Sequence, residues 1–255
     1  MLAWAFFVPI ALWIPPNLAS TVAVLGALAP AAAAILVTAR TSGRDGVRAL
    51  VRPVLRAQVP ARFYLFALGF FATVKLAAAL IHRLVLGAWP RFGGAELLLV
   101  IPFAIALSTP VQAGEEIGWR GFALPRLAGR LGLRRASVVL GVIWALWHLP
   151  LFYARGADTY HQSFPLYAAA VTAISVAMAW LLAKTRGSLL LVMLMHAAVN
   201  NTKDIVPSAG VPASSPFGLN ASPVGWIGLA LLWVAAAWFL LRMPGADGLR
   251  TEATA

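Results

Sequence analysis

Cysteine is absent from this chain, which excludes a cysteine nucleophile, thiolate metal sites and disulfides. Charge is almost as scarce. Only 11% of the residues are Asp, Glu, Lys or Arg, against roughly 25% in soluble domains, and acidic residues number eight in all. No Gly-x-Ser-Gly serine motif occurs. A His-Glu-x-x-His zinc helix is missing too, because neither Glu115 nor Glu116 stands beside a histidine. Asp45, Asp158, Asp204 and Asp247 fall in loops or at the ends of apolar runs, which excludes a membrane-embedded aspartyl dyad. There is no internal repeat, and the only low-complexity stretch is the alanine run at 31–34. The first apolar run, Met1 to Ile14, has no basic residues ahead of it and is a poor signal peptide. It is also short for a membrane span: either the remnant of a helix that starts upstream or one that only partly crosses.

What is present is apolar. Hydrophobic residues make up 61% of the chain, and the mean hydropathy is +0.84. Most of the molecule must therefore lie in lipid, and its length accommodates about eight spans of about 20 residues. The expectation is an all-α polytopic membrane protein, a single transmembrane domain over 1–255. Breakers place the spans near 2–14, 18–39, 62–86, 96 to beyond 116, 137–153, 164–183, 188–205 and 223–242. Between them lie a basic loop at 40–62 and a Pro/Ser/Gly-rich loop at 206–222.

The formal charge of +12 does not indicate nucleic acid, because the arginines cluster in short loops between apolar runs. With alternating spans, fifteen Lys and Arg residues fall on one side and only Arg83, Arg91, Arg155 and Lys203 on the other, with Lys75 inside a span. The positive-inside rule then puts both termini in the cytoplasm of a multi-pass cell-membrane protein. Arg44, Arg48, Arg52 and Arg56 recur every four residues. That spacing suits a basic amphipathic helix on the anionic cytoplasmic leaflet and equally suits a solvated charged loop.

Three polar sites interrupt the apolar runs. The first is Glu115-Glu116 with Arg120. A carboxylate at bilayer depth costs roughly 2.5–3.5 kcal/mol on insertion scales, so two in succession need a reason. On a helix Glu116 and Arg120 share a face, which makes Glu116 the structural partner and leaves Glu115 free to face a cavity. The second site is His148, one turn after Trp144, and the third is His196, one turn before Asn200. At a rise of 1.5 Å per residue, His148 lies about 16 Å and His196 about 12 Å from the cytoplasmic ends of their spans. The two histidines thus reach one layer of the membrane, and Glu115 joins it only if the fourth helix continues several residues past it, towards Phe122. His82, at the outer end of a span, and His161, in an outer loop, do not join it, and Trp144 and Trp147 suit packing.

Glu with His can activate water for attack on a carbonyl, and neutral His and Asn side chains can donate hydrogen bonds to the resulting oxyanion. Two His and a Glu can also bind zinc. A proton-relay transporter would use the same residue types but more often shows repeats; a non-catalytic membrane factor, for bacteriocin immunity or partner binding, is the other alternative. The order of the motifs, Glu115-Glu116-x-x-x-Arg120, then aromatic-x-x-x-His148, then His196-x-x-x-Asn200, within 112–201, resembles the CPBP family. This is the CAAX prenyl protease and bacteriocin-processing family, also called Abi, of eight-helix intramembrane glutamic endopeptidases.

The resemblance implies that Glu115 is catalytic with His148 helping to activate water, that His196 and Asn200 stabilise the oxyanion, and that Glu116 and Arg120 support them. It implies no cofactor and no catalytic metal, and a peptide or lipidated protein as substrate. Trp144 stands where the second motif usually has Phe.

Overall fold

The computed structural model describes residues 25–208 and 215–245, together with Trp4, Val8, Trp13 and Pro15. Apart from Trp4, Val8 and Trp13, the expected first span at 2–14 lies outside the described residues. Those described form eight α-helical segments and no strand: α1 Ala29–Val51, α2 Ala61–Leu86, α3 Ala95–Ser108, α4 Ala113–Glu116, α5 Leu124–His148, α6 Phe164–Lys184, α7 Leu189–Thr202 and α8 Pro223–Leu241. A π-helical turn, Ile117–Ala123, joins α4 to α5. Five continuous helical stretches are long and apolar enough to cross a membrane: Leu25–Leu55, Ala61–Leu86, Pro110–Tyr153, Phe164–Lys184 and Pro223–Leu241. Two shorter apolar helices, Leu98–Ser108 and Leu189–Thr202, accompany them. The chain is an all-α membrane protein.

The expected spans at 62–86, 164–183, 188–205 and 223–242 coincide with α2, α6, α7 and α8. The run from 96 past 116 is not one helix. It stops at Thr109, whose hydroxyl turns back onto the Ile105 carbonyl (2.6 Å), because Pro110 has no N–H to continue the ladder. Helix resumes at Ala113 and carries on through Glu115, Glu116 and the π turn into α5, well before the expected start at 137. Gly132, at φ 73°, breaks α5, and Gly43, at φ 64°, breaks α1. Both adopt a backbone that glycine enters without strain.

Beyond Gly43 the chain is helical again. Arg44, Arg48 and Arg52 are exposed, whereas Leu50, Val51 and Val54 pack on the core. The arginine spacing thus belongs to a helix, with its apolar face turned inward.

At the centre stands α6, rich in Ala, with Ala173 through Ala179 all buried. Small residues let membrane helices approach closely, and α6 packs on both α5 and α8. Gly141 of α5 meets it so tightly that a Cβ there would stand 2.7 Å from Thr172 Cα. Nearby, the Ser175 hydroxyl donates to the Ser137 carbonyl (3.0 Å). The π turn lies against the start of α1, where a Cβ on Gly118 would come 2.5 Å from Pro30. These approaches hold the turn bearing Arg120 at fixed depth beside α5 and α7.

Candidate active site

Glu115 and Glu116 close α4 immediately before the π turn, and both are buried. They point to different partners, as an angular offset of about 100° between neighbouring helical residues requires. Glu116 has no exposure. Its Oε1 accepts from Arg120 Nη1 (2.9 Å) and pairs with His196 Nδ1 (2.8 Å). The expected Glu116–Arg120 pair is therefore present. Arg120 is itself buried, with its guanidinium 4.2 Å over the Trp144 ring and Nη2 3.2 Å from the Met178 sulfur. The π face of tryptophan attracts a cation, so Glu116 neutralises the buried guanidinium while the Trp144 ring and the Met178 sulfur add weaker contacts.

Glu115 does not stand free as expected. Its Oε2 accepts from the Trp144 indole Nε1 at 2.7 Å. Trp144 is thus more than packing: it donates to Glu115 through its edge, receives Arg120 on its face, and meets His196 edge-on with ring centroids 5.2 Å apart. Residue type alone offered the signal for this role, since an indole carries an N–H that the phenylalanine usual in the motif lacks.

His148 sits at the end of α5, one turn from Trp144. Its Nδ1 is 2.9 Å from the Trp144 carbonyl oxygen. A carbonyl only accepts, so Nδ1 carries the hydrogen and the lone pair of a neutral ring is on Nε2. The ring is wedged between Trp147 at 4.6 Å and Tyr167 at 5.5 Å. For His196 the same reasoning bears on its expected oxyanion role. With Nδ1–H directed at Glu116, a neutral His196 has no second N–H for an oxyanion; it donates through Nε2 only as the imidazolium.

Asn200 is not drawn into this network. It is exposed, one turn beyond His196. Asn201 does the structural work there, donating to Ser108 Oγ (2.9 Å) and to the Ala197 carbonyl (2.8 Å), which ties α7 to α3. His82 binds the Ala88 carbonyl after α2. Among the described residues no three His, Asp or Glu side chains converge as a metal site needs. The histidines reach the two glutamates in different ways: His196 through Glu116, His148 through the shared tryptophan.

Residues 95–202 match the family model described as type II CAAX prenyl endopeptidase Rce1-like. A relative described as CAAX prenyl protease 2, from Methanococcus maripaludis, is 29% identical over 98 residues, a match covering 36% of this chain and 36% of that protein. The matched family segment contains Glu115, Glu116, Arg120, Trp144, His148, His196 and Asn200, from the first motif to the last. On both grounds the segment that builds this cluster, less than half of the chain, is similar to CAAX prenyl endopeptidases.

Proposed function

We propose that the chain is an intramembrane glutamic endopeptidase that hydrolyses a peptide bond in a membrane-associated or lipidated substrate without a metal. The observation that carries this reading is the pairing of a buried carboxylate with an oriented imidazole around one tryptophan. Trp144 holds Oε2 of Glu115 through its indole and holds Nδ1 of His148 through its carbonyl. Oε1 of Glu115 and Nε2 of His148 are left to accept hydrogen bonds from a water molecule; Glu115 takes one proton as the water oxygen attacks the scissile carbonyl and returns it to the amine nitrogen as the C–N bond breaks. His196, as imidazolium anchored on Glu116, and Asn200, once substrate covers it, donate to the oxyanion. The fit of residues 95–202 to a prenyl endopeptidase family supports peptide hydrolysis, and the name of the Methanococcus maripaludis relative, CAAX prenyl protease 2, supports a prenylated peptide as the first substrate to assay. Both termini and the catalytic mouth face the cytoplasm in this reading, with Arg44, Arg48 and Arg52 against the anionic leaflet.

Glu115→Gln keeps the volume and an acceptor for Trp144 but removes the base. Cleavage of a fluorogenic prenylated peptide by the purified protein should fall about 10²–10⁴-fold. Retained cleavage would refute the glutamate mechanism. Metal analysis of the same active preparation should find no stoichiometric zinc; zinc that disappears in His148→Ala or His196→Ala would replace the metal-free scheme.

A further inference from the structure

A second polar site lies away from the glutamates. Lys75 is part of α2, fourteen residues from Ala61 and so about 21 Å along that helix. Its side chain is only 7% exposed. The ammonium has three donors, of which one reaches Ser208 Oγ (2.6 Å); the Phe71 ring stands 5.9 Å away. Among the described residues no carboxylate forms an ion pair with it, and Asp204, the acidic group that acts on it through space, is itself exposed. An ammonium at this depth is costly without a counter-charge.

Lys75 lines a cavity of about 200 Å³ together with Ser163, Tyr167, Ser208 and Asn220. Ser163 is 5% exposed, and its hydroxyl has no hydrogen-bond partner. The wall therefore offers the Lys75 cation, the hydroxyls of Ser163, Tyr167 and Ser208, the amides of Gln162 and Asn220 and the His161 ring, and its lining contains no acid, which suits an anion. Tyr167 links this cavity to the candidate active site: it forms part of the cavity wall while its ring packs against His148. An extended peptide advances about 3.3 Å per residue, so a group a few residues from a bond held at His148 reaches past Tyr167.

We propose that this cavity is a subsite for a carboxylate of the peptide substrate, with Lys75 as its counter-charge. The proposal rests on the endopeptidase reading and specifies which substrates that site prefers. The carboxylate comes from the peptide's C-terminus or from an acidic side chain near the scissile bond, and three probes separate the two: a peptide ending in a free acid, the same peptide as its C-terminal amide, and the amide with one Glu introduced after the scissile bond.

In the wild-type protein the free acid or the Glu peptide should show a KM about tenfold or more below that of the plain amide, the scale of a charge-assisted hydrogen bond. Lys75→Met should abolish the difference by raising KM for the acid with kcat unchanged, and Lys75→Arg should keep most of it. Equal KM values for all three peptides in the wild type would overturn the subsite, a comparison that needs no variant to fold. A preference that survives Lys75→Met would overturn it as well. Binding to the Glu115→Gln protein separates this inference from the reading beneath it. If no variant cleaves any peptide, the endopeptidase reading fails; the subsite then stands or falls on whether the Glu115→Gln protein still binds acid over amide in a Lys75-dependent way.

Discussion

Trp144 carries an N–H that the phenylalanine usual in its motif lacks, and that N–H goes to Glu115. Trp144→Phe retains an aromatic face for Arg120 and removes only the donor and part of the ring. A hydrogen bond to a charged group is worth about 1.5–3 kcal/mol, and 1.36 kcal/mol is tenfold in rate. The variant should lose about ten- to a hundredfold in kcat; an unaltered kcat would reduce the indole to a wall. At this scale part of the site was legible. The Glu116–Arg120 pair follows from helical spacing alone, because residues four apart share a face. The His196–Glu116 contact was not, since counting residues along two helices gives depth but not the azimuth at which side chains meet. Asn200 shows the same limit: it shares a turn with His196 yet stays exposed beside the structural Asn201.

Among the elements, α5 and α6 test whether close approach holds the bundle together. A Cβ on Gly141 would press on the backbone of Thr172 and on Ser175, whereas nothing lies within 4 Å of one on Gly129. Gly141→Ala should lower the thermal midpoint in detergent, with overpacking costing about 1–3 kcal/mol. Gly129→Ala, at a helical position with open space, should leave it unchanged or raise it. Equal effects would remove the tight α5–α6 seam as the reason. Helix boundaries were legible where breakers flank a uniform apolar run, as in α2, α6 and α8. They were not where polar residues continue a helix: Arg130, Arg134 and Arg135 suggested a loop, yet they ride on α5 around the Gly132 break. The π turn left no trace in hydropathy, because an extra residue per turn changes backbone register and not composition.

On the scale of the whole molecule, the uneven distribution of Lys and Arg predicts one orientation. The cysteine-free chain makes the test direct, because any introduced thiol is the only one. Gln58→Cys, in the basic segment, should react with a membrane-impermeant maleimide only after cells are opened, and Arg91→Cys, after α2, should react on intact cells. The reverse pattern would invert the topology and place the catalytic mouth outside.

The length of α7 carries a consequence for its place in the bundle. Its 14 residues rise about 21 Å, short of a hydrocarbon layer about 30 Å thick. The chain then leaves the helix, yet Val206 is fully buried and Ser208 meets Lys75. Non-helical backbone at such depth persists only inside protein or beside a water-filled space. Every residue of α7 except Asn200 is buried or half-buried, so neighbouring helices rather than lipid cover its length. The bilayer therefore places no lower limit on α7, and the helix that bears His196 can end inside the bundle.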